Sequence, residues 1–464
     1  MKLKDFFRNG VHPPEMKELT ASSKTRRIPF PSEVILPLSQ HIGAPSVALV
    51  REGDRVERGD IIAEAGGFVS VPLHASVSGT VTKIARGPHP NGTFSPAIFI
   101  KVDQFSAQAP RPRMIPDWHD LDAKQLLQAI QDGGLVGLGG AGFPTHVKLS
   151  PPPDQKIDVV LLNGCECEPY LTTDHRSMVE YPHRVHLGTR IMMKALGVKK
   201  AILGIENNKP DAIEIMRKTV PSDLDIEIVG LNVKYPQGAE KMLIKALIDR
   251  EVPEGGLPMH VGAVVQNVAS VATIAEIFET GLPLVERILT VTGRGLKKPR
   301  NLIVPIGTKL RDLIAACGGL ADDAAEVIMG GPMMGPAQGN LDTPILKGTS
   351  GVVVLNQTEA QPEAVYPCIR CGHCLDACPV FLNPQAMGSL GLNMEYKEMQ
   401  TDLHLDTCML CGCCSYVCPS KIPLSHIFGV ARAQLAGEAA KERAAAQKAE
   451  AEAKENAPKK GAAK

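Results

Sequence analysis

The sequence predicts a multidomain α/β protein, and three observations point to it. At 464 residues the chain exceeds a single ordinary domain. Its hydrophobic pattern changes character along the chain, from short alternating β-like stretches to helix–strand alternation and back to short strands. Beyond about residue 365 cysteines dominate. Hydrophobic residues make up 44% of the chain, ample for real cores, while aromatics are only 4%. Fifty basic and fifty acidic residues cancel, which argues against a nucleic-acid surface and offers no electrostatic pull toward lipid. The most apolar runs, VGAVVQNVASVATIAEIF (261–278) and VVLLNG (159–164), are too polar or too short to span a bilayer. The start, MKLKDFFRNGVHPPEMK, lacks a secretory apolar core. The expectation is a cytoplasmic chain, attached to a membrane only through a partner, whose twelve cysteines serve metal or redox chemistry rather than disulfides.

Residues 30–105 contain GDRVERGD (53–60) and many turn signals, and read as an all-β module. The phrase resembles the barrel-sandwich fold of biotinyl and lipoyl domains. The stretch VPLHASVSG (71–79), where those domains carry a modifiable lysine, has none, so no swinging arm is expected. His74 in that stretch reads as a polar surface residue at a turn. Residues 115–265 alternate helix-like and strand-like segments (IDVVLLN, HRVHLGTRIMMKALG, KKAILGIE), an α/β layer pattern. Residues 285–352 return to short strands and turns, among them RILTVTG and AEVIMGGPMMG. Residues 432–464 are rich in Ala, Lys and Glu and read as a solvated helix or a disordered tail with no chemistry.

The stretch GLGGAGFPTHVK (137–148) spaces Gly137, Gly139 and Gly142 like a dinucleotide-binding loop. Context denies that reading. DLDAKQLLQAIQDGG, just before it, is helix-like, with Leu126, Leu127 and Ile130 on one face, Asp120 or Asp122 as cap and Gly133–Gly134 as stop. Pro144 and the prolines at 151–153 do not suit a helix after it. Adjacent glycine amides can still cradle a phosphate or a flavin edge, and the following strand, IDVVLLN, runs into NGCECEPYLTTDHR (163–176).

The strongest signal is C-x2-C-x2-C-x3-C-P, present twice: Cys368, Cys371, Cys374 and Cys378, then Cys408, Cys411, Cys414 and Cys418. Three closely spaced thiolates wrap a cubane, and the fourth typically ligates the other cluster in a two-cluster protein. One [4Fe–4S] cluster is thus assigned to Cys368, Cys371, Cys374 and Cys418, and the second to Cys408, Cys411, Cys414 and Cys378. Zinc would favour paired C-x2-C units of four ligands per ion. Cys413 breaks the spacing and reads as a packing residue. The segments PVFLNPQAMGSLG and NMEYKEMQTDLH suggest a helical two-cluster domain over residues 360–430. Such clusters carry single electrons, so a two-electron partner is expected elsewhere in the chain.

GLGGAGFPTHVK and NGCECEPYLTTDHR resemble two motifs of the flavin- and NADH-binding subunit of respiratory complex I. The match covers Gly137, Gly139, Gly140, Ala141, Gly142, Phe143, Pro144, Thr145 and Lys148 in the first, and Asn163, Glu166, Glu168 and Pro169 in the second. YPQGAEKM adds Gly238 and Glu240, and VQNVAS adds Asn267 and Ser270. The resemblance implies that the glycine loop with Phe143, Lys148, Asn163, Glu166, Gly238 and Asn267 binds FMN. It also implies that Phe143, Lys148, Glu168 and Glu240 lie near NAD(H), with Lys148, Glu168 and Glu240 the candidate catalytic residues. Leu138, Cys165, Ala239 and Tyr170 depart from that family's pattern, where it has arginine, aspartate, glutamate and glycine. Cys165 and Cys167 read as neutral lining residues.

Over residues 1–430 the order of modules, with HPPEMK (12–17) and GGPMMG (330–335), is similar to the RnfC (RsxC) family. This implies a β-grasp (SLBB-like) domain at 285–352. It further implies a peripheral subunit of an ion-translocating ferredoxin:NAD oxidoreductase complex at the cytoplasmic face of the bacterial inner membrane. Electrons would pass between NAD(H), FMN and the two clusters, with membrane subunits and ferredoxin as partners. Two alternatives stand beside it. A cobalamin reductase-type flavoprotein shares the modules, but with the barrel-like one after the clusters. A cluster-only relay or scaffold without a working flavin site would fit the departures at Leu138 and Cys165.

Overall fold

The computed structural model describes residues 7–140, 142–360 and 364–455, with side chains given as far as 446. Ala141 of the glycine loop, residues 361–363 and the last nine residues of the tail lie outside them. Residues up to 360, apart from 9–11, form one compact unit, and 9–11 join the cysteine-rich remainder in a second.

In the first unit, two small sheets pack as a barrel-sandwich. One has the strands Glu33–Pro37, Phe94–Val102, Gly79–Pro88 and Arg55–Val56 in that order, the other Val47–Ala48, Ile61–Glu64 and Leu73–His74. Val34, Leu36, Ile62, Leu73, Val81, Ile98 and Ile100 fill the space between the sheets. His74 corrects the sequence reading: it is 1% exposed, and neither ring nitrogen has a hydrogen-bond partner. Burial and the nearby Lys347 ammonium push its pKa well down, so it is a neutral core residue.

The second layer is a parallel sheet in the order Ile226–Leu231, Ala201–Glu206, Val159–Gly164, Ala263–Asn267. Val159–Gly164 is buried along its whole length, as expected of a strand covered on both faces by crossover helices. The chain adds two strands on one side of Val159–Gly164 and then returns to its other side with Ala263–Asn267. That reversal opens a crevice at the carboxyl ends of the two strands, where open α/β sheets bind ligands.

The third layer is a mixed five-stranded sheet, ordered Arg26–Arg27, Arg300–Pro305, Glu286–Thr292, Gly351–Asn356, Ala324–Met329. Its central pair, Glu286–Thr292 and Gly351–Asn356, is parallel and its flanking hairpin antiparallel. The helix Leu310–Ala316 supplies Leu310, Leu313 and Ile314 to its core. Sequence reading did not foresee that Arg26–Arg27 would pair with Leu302 and Ile303, covering an edge that would otherwise stay open.

The layers are tied by polar contacts, of which those of Ser76 and Lys347 are fully buried. Glu286 pairs with both Arg27 and Arg58, Lys309 with Glu33 at 2.6 Å, and Ser76 Oγ donates to Ile306 O at 2.6 Å. The buried Lys347 Nζ donates to Pro72 O and Gly134 O, both at 2.8 Å.

The second unit repeats one backbone device twice. Arg370 and Leu410 take left-handed conformations (φ 54° and 55°), as do Gly372 and Gly412 (83° and 81°) and Phe381 and Lys421 (57° and 55°). Each cysteine loop therefore folds back on itself before a short helix, His373–Ala377 in the first and Cys413–Tyr416 in the second. The helices Pro384–Leu392 and Tyr396–Thr401 fall where the sequence suggested. The tail reading resolves to helix as far as it is described: Leu424–Glu455 is continuous, and Arg432 Nη1 donates to Cys408 O at 3.0 Å.

Candidate functional site

The glycine loop leaves the helix Ala123–Asp132, whose N-cap is Asp122, in a capping box with Gln125. It closes on itself through Gly137 N to Phe143 O (2.9 Å). After Pro144 comes a single helical turn, Thr145–Lys148. The expectation of no helix there is thus corrected, because Pro144 stands ahead of the first turn, where its missing N–H is no loss. Gly139 and Gly140 are exposed, and a Cβ on Gly139 would meet Asn267 Nδ2 at 2.2 Å. The loop therefore lies directly on the crevice.

Asn163 and Asn267 are register partners at the ends of adjacent strands. Asn163 Nδ2 donates to Gly238 O (2.8 Å) and its Oδ1 accepts from Cys165 N (3.1 Å). Asn267 caps the helix Val268–Thr280 by accepting from Ala269 N, and its Nδ2 donates to Asp174 Oδ2 at 2.6 Å. Glu166 accepts from Asp174 N and His175 N at the start of the helix Thr173–Glu180. Lys148 Nζ donates to Glu240 Oε2 (2.5 Å) and Val265 O (3.3 Å). Hydrogen bonds thus bring Lys148, Asn163, Glu166, Gly238, Glu240, Asn267 and the loop together; Glu168 lies beside them.

Glu168 Oε2 accepts from Met333 N at 3.1 Å, and Oε1 is buried with no partner. Gln237, fully buried, has no partner for either amide atom. Such orphaned polar atoms around an open glycine loop suit a polar ring system and its phosphate, so the residues present fit a flavin. The departures are accommodated. Leu138 uses its backbone, donating to Ser270 Oγ (2.9 Å) and accepting from the buried Arg287 (3.2 Å). Burial pushes the Cys165 and Cys167 thiols well up, keeping both neutral, and Cys167 Sγ accepts from Gly238 N at 3.2 Å. Tyr170 adopts φ 69°, which costs about 1 kcal/mol for a non-glycine residue, while its hydroxyl donates to Glu359 at 2.8 Å. Tyr170→Phe is expected to lose about 1 kcal/mol of stability by denaturant titration, and Tyr170→Gly to lose several kcal/mol more despite relieving the φ, because the ring is buried in a cluster with Leu171, Ile328 and Val353.

Asp174 and Arg287 escaped the sequence reading. Asp174 lies in NGCECEPYLTTDHR with no spacing of its own to mark it; Arg287 had no local signal, being brought in from a strand about 150 residues away. Burial, then repulsion from Glu166, pushes the Asp174 carboxyl up to about 7 against the pull of Asn267, Arg287 and Lys209. Burial likewise pushes Glu168 up to about 7. A carboxyl with a raised folded-state pKa gives stability that is complete below the ordinary carboxyl range and lost as pH rises through the folded value. The buried neutral histidines and Lys347 pull the other way as pH rises, so the sign is read from a variant: Asp174→Asn is expected to raise the melting temperature of the FMN-free chain at pH 8 relative to pH 6, compared with the unsubstituted chain in circular-dichroism melts.

In the second unit the thiols fall into two groups that cross the motifs. Cys374 is pushed up by burial, with Cys371, Cys418 and Cys368 adding to it. Burial raises Cys414 to about 12 and Cys408 to about 11, and each feels Cys411 and Cys378. A small apolar cavity is lined by Cys378, Cys408, Cys411, Cys414, Met387 and Phe428. Backbone amides of Arg370, Leu410 and Leu382 point at the sulfurs of Cys368, Cys408 and Cys378 at 3.3–3.4 Å. Thiols that resist ionising alone, gathered around a cavity, fit a cationic inorganic core whose charge would hold them as thiolates. Among the described residues no three His, Cys, Asp or Glu side chains converge on one metal ion; thiolates around a cubane stand farther apart. Cys413 is fully buried and hydrogen-bonded to Cys411, so Cys413→Ala is expected to leave iron content unchanged in a colorimetric assay.

Fold and site together define a redox subunit that carries a flavin and two iron–sulfur clusters. Family models agree module by module: the RnfC barrel sandwich hybrid domain matches residues 5–105, the Nuo51 FMN-binding domain 130–276, the SLBB domain 288–337 and the 4Fe-4S dicluster domain 364–422. Curated relatives match over nearly the whole chain. The C component of the proton-translocating ferredoxin:NAD(+) oxidoreductase complex of Clostridium ljungdahlii is 48% identical over 86% of this chain and 87% of its own. Its counterpart in the Na(+)-translocating complex of Acetobacterium woodii is 45% identical over 82% and 85%. The C component of the ion-translocating oxidoreductase complex of Rhodobacter capsulatus is 38% identical over 82% and 73%. This chain belongs to the RnfC family, the C components of ion-translocating ferredoxin:NAD(+) oxidoreductase complexes. FMN and two [4Fe–4S] clusters are its cofactors, and the other subunits of the complex are its partners. Among the described residues no helix is long and apolar enough to cross a membrane.

Proposed function

We propose that this chain is the point at which NAD(H) exchanges two electrons with the complex, in the crevice between Val159–Gly164 and Ala263–Asn267, at the cytoplasmic face of the membrane. The carrying observation is the pairing of Asn163 with Asn267 beneath the exposed Gly139–Gly140 backbone. FMN supplies the chemistry that accepts a hydride and releases single electrons. Gly137, Gly139, Gly140, Gly142 and Lys148 hold its phosphate and edge, while Asn163, Glu166, Gly238 and Asn267 fix the ring plane. Ala141, outside the described residues, belongs to the same loop. Phe143, Glu168 and the Lys148–Glu240 pair face the nicotinamide nucleotide and orient it. Cys368, Cys371, Cys374 and Cys418 hold one cluster, and Cys408, Cys411, Cys414 and Cys378 the other.

The test is a spectrum of the full chain, purified anaerobically, before and after NADH. Flavin bleaching followed by loss of cluster absorbance is expected. A chain with full iron content, no flavin and no response to NADH would establish the cluster-only relay in its place.

A further inference from the structure

Two motifs remain without a role: HPPEMK near the start and GGPMMG in the mixed five-stranded sheet. They meet at one residue. Lys17, buried, donates from Nζ to Glu168 O (2.9 Å) and Leu171 O (2.5 Å). Glu15 O accepts from Tyr170 N at 2.9 Å. The N-terminal segment therefore straps the backbone of the 168–171 loop from one side. From the other side the GGPMMG turn seats the side chain. Met333 N donates to Glu168 Oε2 at 3.1 Å, and a Cβ on Gly331 would meet that oxygen at 2.2 Å and Glu168 Cβ and Cδ at 2.6 Å. Gly335 is needed to close the turn, since a Cβ there would strike Gly331 O and Met329 O at 2.6 Å. The Met334 amide and the Tyr235 side chain also hydrogen-bond this carboxyl, and with its backbone strapped Glu168 keeps one oxygen, the buried Oε1, without a partner.

We propose that the GGPMMG turn is part of the nicotinamide-nucleotide site, with Gly331 and the Met333 amide acting as positioning groups that aim Glu168 Oε1 at the bound nucleotide. The inference rests on the reading that Glu168 faces NAD(H). Gly331 has no side chain because the carboxylate occupies the place a Cβ would take. The turn contributes no group to the ligand itself and acts through Glu168.

The test is calorimetric titration of NAD+ into the FMN- and cluster-loaded full chain under anaerobic conditions, with flavin content and cluster absorbance measured alongside. Gly331→Ala is expected to keep both cofactors and weaken NAD+ binding about tenfold, the worth of one charge-assisted hydrogen bond. KM for NADH should rise by a similar factor with kcat within about twofold. Glu168→Ala is expected to weaken binding at least as much, and the double variant no more than Glu168→Ala alone, because two groups acting through one contact are not additive. If Glu168→Ala weakens binding and Gly331→Ala does not, or if the two effects add, the positioning role is overturned. If Glu168→Ala leaves NAD+ binding intact, the reading of Glu168 itself falls and this inference with it. Should Gly331→Ala lose its flavin, Met333→Pro, which deletes one of the turn's donors to the carboxylate, carries the same comparison.

Discussion

Replacing Cys378 with serine is expected to remove the cluster of the second motif, not that of its own. Cys378 lines the cavity shared with Cys408, Cys411 and Cys414, and it raises the thiols of Cys408 and Cys414. The loss should be about four of about eight irons, the content of one cubane. Cys418→Ser should mirror it, because Cys418 stands with Cys371 and Cys368 around Cys374. Iron and sulfide determination gives the count, and electron paramagnetic resonance of the reduced variants tells the clusters apart. If Cys378→Ser and Cys374→Ser leave the same resonance behind, the crossed ligation is wrong.

The second large effect is at the glycine loop. Gly139→Ala is expected to abolish stoichiometric FMN binding, weakening it by more than about tenfold, which is only about 1.4 kcal/mol. The new Cβ would sit 2.2 Å from Asn267 Nδ2 and 2.6 Å from its Cγ. Asn267 must then leave, and with it go the contact to Asp174 and the cap on Val268–Thr280, the cap alone being worth about 1 kcal/mol. Gly140→Ala makes the informative contrast. A Cβ there meets nothing within 4 Å, so the FMN-free chain should melt as before while flavin affinity still falls. Flavin fluorescence released on denaturation measures both. Unchanged occupancy in Gly140→Ala would show that the ligand does not approach this loop.

The sequence was most readable where chemistry is local. Each cysteine quartet lies within eleven residues, so two cluster motifs are legible from spacing alone. The helix before the glycine loop was legible with its cap narrowed to Asp120 or Asp122, of which the structure uses Asp122. What escaped was assembled by distant pairing. Arg287 reaches Leu138 across 149 positions, and Arg26–Arg27 joins the strand Arg300–Pro305. His74 misled because a polar residue among turn signals usually meets water, whereas here it lies in the buried strand Leu73–His74. Lys17 gave no sign either, since a buried amine reads in sequence like any surface lysine.

The polar ties between layers bear on how the first unit comes apart. Glu286 belongs to the mixed sheet by its strand, yet both arginines that neutralise it come from outside residues 285–352. Lys347, from that stretch too, finds its acceptors in the barrel-sandwich and at the foot of the flavin loop. Cutting the chain at any sequence-module border would strand a desolvated charge, which is strongly destabilising when its partner is removed. The first unit should therefore unfold in one calorimetric step rather than three, and its isolated modules should be insoluble or unfolded. Pieces that read as separable cassettes along the sequence have become, through a few inherited charges, a single thermodynamic body.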